Sequence, residues 1–494
     1  MRLPLFLCFL CFPMLLFGQS VVGNFSMRNK PNDFAYKISR SGKPVRILFQ
    51  NDEEYEIMSI DSSFTFSKSL TYKQLDKNNR FIGSLETDSA LSLYFIQLKT
   101  GRFSALSISK ADTQMVWNTL FNGNSKEHFL KAIVAKDQMQ ILSVDETTQN
   151  LIVKTYKHAE KISENIFKIE FPDFMNSLKA NLNMLNQEPF SDIGITYIDY
   201  EIEQDISDIY TDRKMYVRDD KLVLVFDQQN TSHLLIVDLT KKKSYYKKFS
   251  FKLELETSEN ANAGNSFLYK EYFFRITSNG HQINLAVIDF RNFKLIRNHN
   301  IFDNQPIEIK NGPILFEEST NGSVPSIKPI STTQKFFKLV RGADLGVTAR
   351  QNPNNTLELT IGSHLSEVYT SPAIGSGLSM GLGSFGLGMG GVGMSVGVGG
   401  SMDPFYYPYG MGSRSYSVSI EKAYFHTVLT DKEFAHVPMP LQNSYLDRKK
   451  TFLVRNFKAS KVPDIEVEYQ WNDKIHYGYW DRKTNKFIVL AFDK

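Results

Sequence analysis

Leu222-Val223-Leu224-Val225-Phe226, a polar turn, Leu234-Leu235-Ile236-Val237-Asp238, a lysine-rich turn, then Tyr245-Tyr246 through Phe251: this stretch decides how the chain folds. Its apolar runs are short, rich in β-branched and aromatic residues, and bounded by Asn, Asp and Lys. That composition marks paired strands rather than helices. A second copy follows at once, as Tyr272-Phe273-Phe274-Arg275-Ile276, Leu285-Ala286-Val287-Ile288-Asp289 and Phe293 to Ile301; Asp238 and Asp289 stand 51 residues apart.

Working outward, the pattern recurs at Ile57 to Asp61, at Leu106 to Asp112 and at Ile141 to Asp145. It returns near the C-terminus as Val467 to Trp471, Ile475 to Asp481 and Phe487 to Phe492. A weaker copy runs from Thr356 to Ile361, resumes at Tyr416 to Ile420 and continues through Tyr424 to Leu429. An Asp ending a strand suits a turn, because its carboxylate accepts nearby backbone N–H groups. Units of four strands repeating at roughly 35–55 residues predict an all-β chain, a β-propeller of about seven blades (six to eight). Two β-rich domains meeting near Asn311 to Thr333, a stretch with three prolines, are the competing architecture.

The spacing is irregular: Asp112 to Asp145 is short and Asp145 to Asp238 long, so the long gap is expected to hold a degenerate blade plus an insertion. Residues 172–189 supply the insertion. Phe174, Met175, Leu178, Leu182 and Leu185 recur at helical spacing after Pro172, which suits a helix's first turn.

Composition narrows the class. The 494 residues carry 57 Lys+Arg against 53 Asp+Glu, a net charge of +4, which gives no reason to expect nucleic-acid binding. Residues 1–19 read as a signal peptide: Arg2, an apolar run from Leu3 to Phe17 interrupted by Pro4 and Pro13, then Gly18-Gln19-Ser20. The run is too short and Pro-broken for a stable membrane span. Both cysteines, Cys8 and Cys11, fall inside it, so residues 20–494 would fold as a propeller without a disulfide. The ending Leu15-Leu16-Phe17-Gly18-Gln19 resembles export signals of Bacteroidota, and the repeat pattern resembles secreted propeller-like proteins of that group. The resemblance implies architecture alone. No Trp-Asp pairs recur at blade ends and no glycine doublets mark Kelch-type repeats, so it assigns no functional residue.

Fourteen of the 29 glycines lie between Gly375 and Gly412, inside an uncharged loop, 371–415, set between two strands of one repeat. Asp403 is the one charged residue between Glu367 and Arg414. Fragments such as Gly377-Leu378-Ser379-Met380-Gly381 and Gly381 to Gly386 fit nucleophile-elbow and dinucleotide patterns. They lack the strand–turn–helix context those chemistries require. The arm instead carries adaptable apolar side chains on a flexible backbone: Met380, Leu382, Phe385, Leu387, Met389, Met394 and Met402, followed by Phe405, Tyr406, Tyr407 and Tyr409. Such a surface left in water is an aggregation liability, so these residues are the expected partner-binding site, for a protein or for limited membrane contact.

No catalytic residue, cofactor or metal site is expected. The nine histidines are scattered and none stands in a close ligand spacing. The Lys241–Lys243 and Lys247-Lys248 runs read as a solvated turn and a lysine-protected strand edge. The expectation is an exported, periplasmic interaction scaffold (alternatively secreted or on the cell surface). It would suit an accessory or plug subunit of an outer-membrane secretion or assembly complex. A carbohydrate-processing or other hydrolytic propeller and a surface adhesin are the alternatives.

Overall fold

The computed structural model describes residues 19–26, 35–38, 44–50, 54–61, 65, 70–74, 79–124, 126–135, 137–170, 195–199, 202–218, 220–250, 263–371, 415–457, 462, 463 and 465–493. Their strands form seven separate sheets, five of four strands and two of five, antiparallel throughout except for one short parallel strand. The chain is a seven-bladed β-propeller. Blades 1 to 3 span Ala35–Lys73, Asn79–Asn122 and Glu127–Lys168. Blades 4 to 6 span Thr196–Ser250, Ala263–Phe302 and Ile314–Leu429, and blade 7 takes Glu466–Asp493 together with Gln19–Ser26. The blades are meanders save blade 6, whose outer hairpin precedes its inner strands in sequence, and blade 7, whose outer strand is the N-terminal one.

The opening stretch shows why these sequences make blades. Both faces of a blade are buried, so a central strand needs apolar residues on each. Val223 and Val225 join the core shared with blades 5 and 6, while Leu222, Leu224 and Phe226 join the core shared with blade 3. Leu234 and Ile236 against Leu235 and Val237 divide in the same way. Each such side chain, fully buried, contributes about 1.5–3 kcal/mol. Outer strands such as Lys243–Ser250 and Lys294–Phe302 are largely exposed, and the lysines flanking Tyr245-Tyr246 lie on one of these rims.

Aspartates do finish strands for a local reason. Asp238 Oδ1 accepts from the Thr240 and Lys241 N–H groups at 3.2 and 2.8 Å, and Asp289 Oδ1 accepts from Arg291 N at 2.9 Å. Hydrogen bonds to these turn N–H groups hold both carboxyls below their usual pKa, with the Arg291 side chain leading at Asp289. In blade 7, Asn472 and Asp473 take positive φ (50° and 58°) in a two-residue hairpin.

Three expectations are corrected. Asp145 closes the second strand of blade 3, one strand earlier than Asp112, Asp238 and Asp289 in theirs, which is why the spacing looked irregular. Among the described residues no degenerate blade lies between Asp145 and Asp238: blades 3 and 4 share one core, and Ser244 Oγ donates to Lys168 O at 3.1 Å. The two-domain alternative fails, because Ile314–Thr320 and Ser326–Ile330 are the outer hairpin of blade 6. The helical insertion at 172–189 lies outside the described residues. Within them are three helices: α1 (Ile206–Ile209), α2 (Thr333–Val340) and α3 (Tyr445–Asn456).

Closure uses both ends of the ring. Gln19–Ser26 is the outermost strand of blade 7, antiparallel to Lys486–Asp493, with Phe25 opposite Phe487. Blade 7 then packs on blade 1 through Phe25, Phe49, Trp480 and Phe487. Between blades 6 and 7 stands α3, whose Tyr445 and Phe452 cover Tyr477, Tyr479 and Phe492. A capping box starts it: Ser444 Oγ accepts from Asp447 N, and Asp447 Oδ2 accepts from Ser444 N, both at 3.0 Å.

Candidate functional site

The expected partner-binding residues, Met380, Leu382, Phe385, Leu387, Met389, Met394, Met402, Phe405, Tyr406, Tyr407 and Tyr409, lie outside the described residues. Their base is described. Leu357–Ser371 and Ser415–Leu429, the second and third strands of blade 6, pair without interruption from Leu357↔Leu429 to Ser371↔Ser415. The inner strand of the blade pairs only as far as Asp344↔His364, and the neighbouring outer strand only to Thr320↔Ser419. The last part of the hairpin therefore outruns its own blade as a two-stranded stalk. Gly362 permits the close pairing at its root, where an added Cβ would lie 2.1 Å from Ala423 O.

Residues 195–199 and 202–212 lie against the inner strands of blades 4, 5 and 6. Thr196–Ile198 pairs in parallel with Lys214–Tyr216, Ile206 and Ile209 pack over Gly346, and Asn265 Nδ2 donates to Tyr210 O at 2.6 Å. Three blades are thus tied together by one connector that sequence reading passed over, since its strand is three residues long and α1 only four.

Charges buried beside this connector are neutralised by each other. Asp205, the cap of α1, faces Lys422 at 3.0 Å and Lys450 at 3.2 Å; Glu317 faces the same lysines at 2.5 and 2.8 Å. Burial opposes ionisation of Asp205, but the two lysines overcome it and hold its pKa well below the usual carboxylate range. Between blades 4 and 5, Asp227 accepts from Lys214, Arg275, Ser232 and Ser266. Both clusters read as inter-blade fastenings.

At the opposite end of the blades from the stalk lies a basin of about 490 Å³. Its walls come from the turn after the inner strand of blade 6 (Gln351, Asn352, Pro353), the connector (Ile202, Glu203), the approach to α3 (Gln442) and the first hairpin of blade 7 (Gln470). Burial raises the Glu203 carboxyl to about 7, against the pull of Arg350 and helped by Asp447 and Glu358. Arg350 is itself committed: its Nε is 3.5 Å from Glu203, and its Nη2 is 2.7 Å from both Glu358 Oε2 and the Gln442 carbonyl. Among the described residues, no group of three or more His, Asp or Glu is placed to hold a metal ion.

No family model and no curated protein matches the chain. Among solved structures it is similar to the propeller of Dos1, at 10% identity over 67% of this chain and 64% of that one, with a TM-score of 0.29. It is similar also to the WD40 domain of SCAP from fission yeast (10%, 90% and 81%, TM-score 0.27) and to prolyl oligopeptidase B from Galerina marginata (9%, 65% and 37%, TM-score 0.28). The chain thus spans less than two thirds of the first and third of these. Likenesses at such identities and TM-scores carry no argument about chemistry or partners.

Proposed function

We propose that the chain is an exported, non-enzymatic interaction scaffold whose partner engages the face carrying the stalk and its glycine-rich arm. One observation carries this reading: the hairpin Leu357–Ser371/Ser415–Leu429 extends beyond every strand beside it, at the point where the uncharged segment is inserted. A pair of strands held in register by a blade is a rigid mount, and recognition loops on rigid mounts are a recurrent way to present a binding surface. The signal-like residues 1–19 and their resemblance to Bacteroidota export signals support reading the scaffold as a periplasmic protein of a Gram-negative cell, in the role of an accessory or plug subunit of an outer-membrane secretion or assembly complex.

The hydrolytic alternative needs carboxyl groups free to trade protons near a substrate. Glu203, on the basin wall, and Glu358 behind it both sit on Arg350, an arrangement that suits structure better than catalysis.

Affinity purification from the native envelope under mild detergent tests the proposal, using the full chain and a deletion of Gly375 to Gly412. The deletion is expected to lose the co-purifying proteins while the propeller stays folded. Unchanged recovery of those proteins, or recovery of the intact chain alone, overturns it. Cell fractionation separates periplasmic residence from surface display.

A further inference from the structure

We propose that the basin at the face opposite the stalk binds a neutral, polyhydroxylated ligand of saccharide type. The proposal rests on this cavity and is independent of the arm.

Its size falls within the roughly 300–1,000 Å³ typical of small-molecule sites. Side-chain amides are prominent in its lining: Gln204, Gln351, Asn352 and Asn355 are partly engaged within the protein, while Gln442 and Gln470 make no side-chain hydrogen bond among the described residues. An amide offers a donor and an acceptor side by side, and a sugar hydroxyl is likewise both, so rows of amides match rows of hydroxyls. Gln442 and Gln470 accept from Arg350 and Lys37 through their backbone carbonyls, which leaves their side chains for recognition.

Charge selects for neutrality. Arg350 is the one Lys or Arg among the lining residues and is spent on Glu203, Glu358 and a carbonyl, so a phosphate or carboxylate ligand would find no uncommitted cation in the lining itself. Glu203, its carboxyl raised by burial to about 7, can donate a hydrogen bond when protonated and accept one when ionised. Tyr269, Pro353 and Ile475 contribute apolar surface against which the C–H faces of a sugar ring can lie.

Isothermal titration calorimetry of the full chain tests this, with glucose, galactose, N-acetylglucosamine, cellobiose, lactose and chitobiose as probes. At least one is expected to bind with a millimolar or tighter Kd. Gln442→Ala and Gln470→Ala leave in place the backbone carbonyls that accept from Arg350 and Lys37, so each is expected to keep the parent thermal melt while weakening binding by roughly tenfold. Three results would overturn the proposal: no saturable heat from any probe at about 20 mM, binding indifferent to both substitutions, or glucuronic acid binding as tightly as glucose.

Discussion

Arg275 of blade 5 reaches across to Asp227 of blade 4, its Nη1 2.8 Å from Oδ1, with both side chains completely removed from solvent. Lys214 completes the cluster at 3.1 Å from Oδ2, and Arg275 Nη2 also donates to the carbonyls of Gln228, Gln229 and Thr231. Gly264 makes room for the guanidinium, since a Cβ there would lie 2.2 Å from Arg275 Nη2 and from Gln229 O. Asp227→Asn leaves two buried cations without their counter-charge. It is expected to cost about 3–5 kcal/mol, measured by urea unfolding. A loss below 1 kcal/mol would show that the cluster contributes little.

Ring closure depends on Phe25, whose ring is 5.3 Å from Phe487 within blade 7 and 6.5 Å from Phe49 of blade 1. Phe25→Ala should lower stability by about 3–5 kcal/mol. Removing residues 19–26 should do more, exposing the edge of Lys486–Asp493 and promoting association through it. Size-exclusion chromatography and thermal melts report both effects.

His476 lies stacked on Tyr469, with centroids 5.1 Å apart, and its pKa is pushed down to about 4, first by burial and then by the Lys474 and Lys37 charges. An unfolded chain protonates this histidine near pH 6.5. Between pH 6.5 and 4 the unfolded state therefore binds a proton that the folded state refuses, and the residue's contribution falls as the pH drops through that window. His476→Phe keeps a ring against Tyr469 and deletes the titration. Its stability relative to the parent should rise by up to about 3 kcal/mol from pH 7 to pH 4, read from urea melts at each pH. A difference that stays constant across the window would contradict the assignment.

The stalk can be tested at its root. Gly362→Val forces a side chain into the backbone of Ala423 and the Cβ of Tyr424. Overpacking of this kind costs about 1–3 kcal/mol, and here it should also disturb the register that carries the arm. Hydrogen exchange of amides in Leu365–Ser371 should quicken more than in blades 1 to 3.

Strands of the blade interiors were legible because burial on both faces writes itself as unbroken apolar runs, Leu222–Phe226 above all. Inner strands were harder. Arg213–Arg218 and Ala263–Tyr269 mix charged, small and apolar residues because they hold Lys214, Asn265 and Ser266 for the Asp227 cluster. Helix α3 was missed although Ser444 and Asp447 stand at capping-box spacing. Its polar face, with Lys449 and Lys450, answers to carboxylates far away in sequence: Glu468, Glu317 and Asp205. The basin was invisible for the same reason, its walls coming from segments that only the closed ring brings together.

That closed ring has a bearing on how the molecule is made. Val21 pairs with Leu490 and Phe25 with Phe487, contacts spanning nearly the entire sequence. A contact of such long range pays its loop-closure entropy before any reward is collected, which slows folding. During synthesis residues 19–26 must wait without their partner strand until residues 486–493 have emerged. Until then the apolar edge that will receive Phe487 and Leu490 is incomplete, so blade 7 is the last blade able to close.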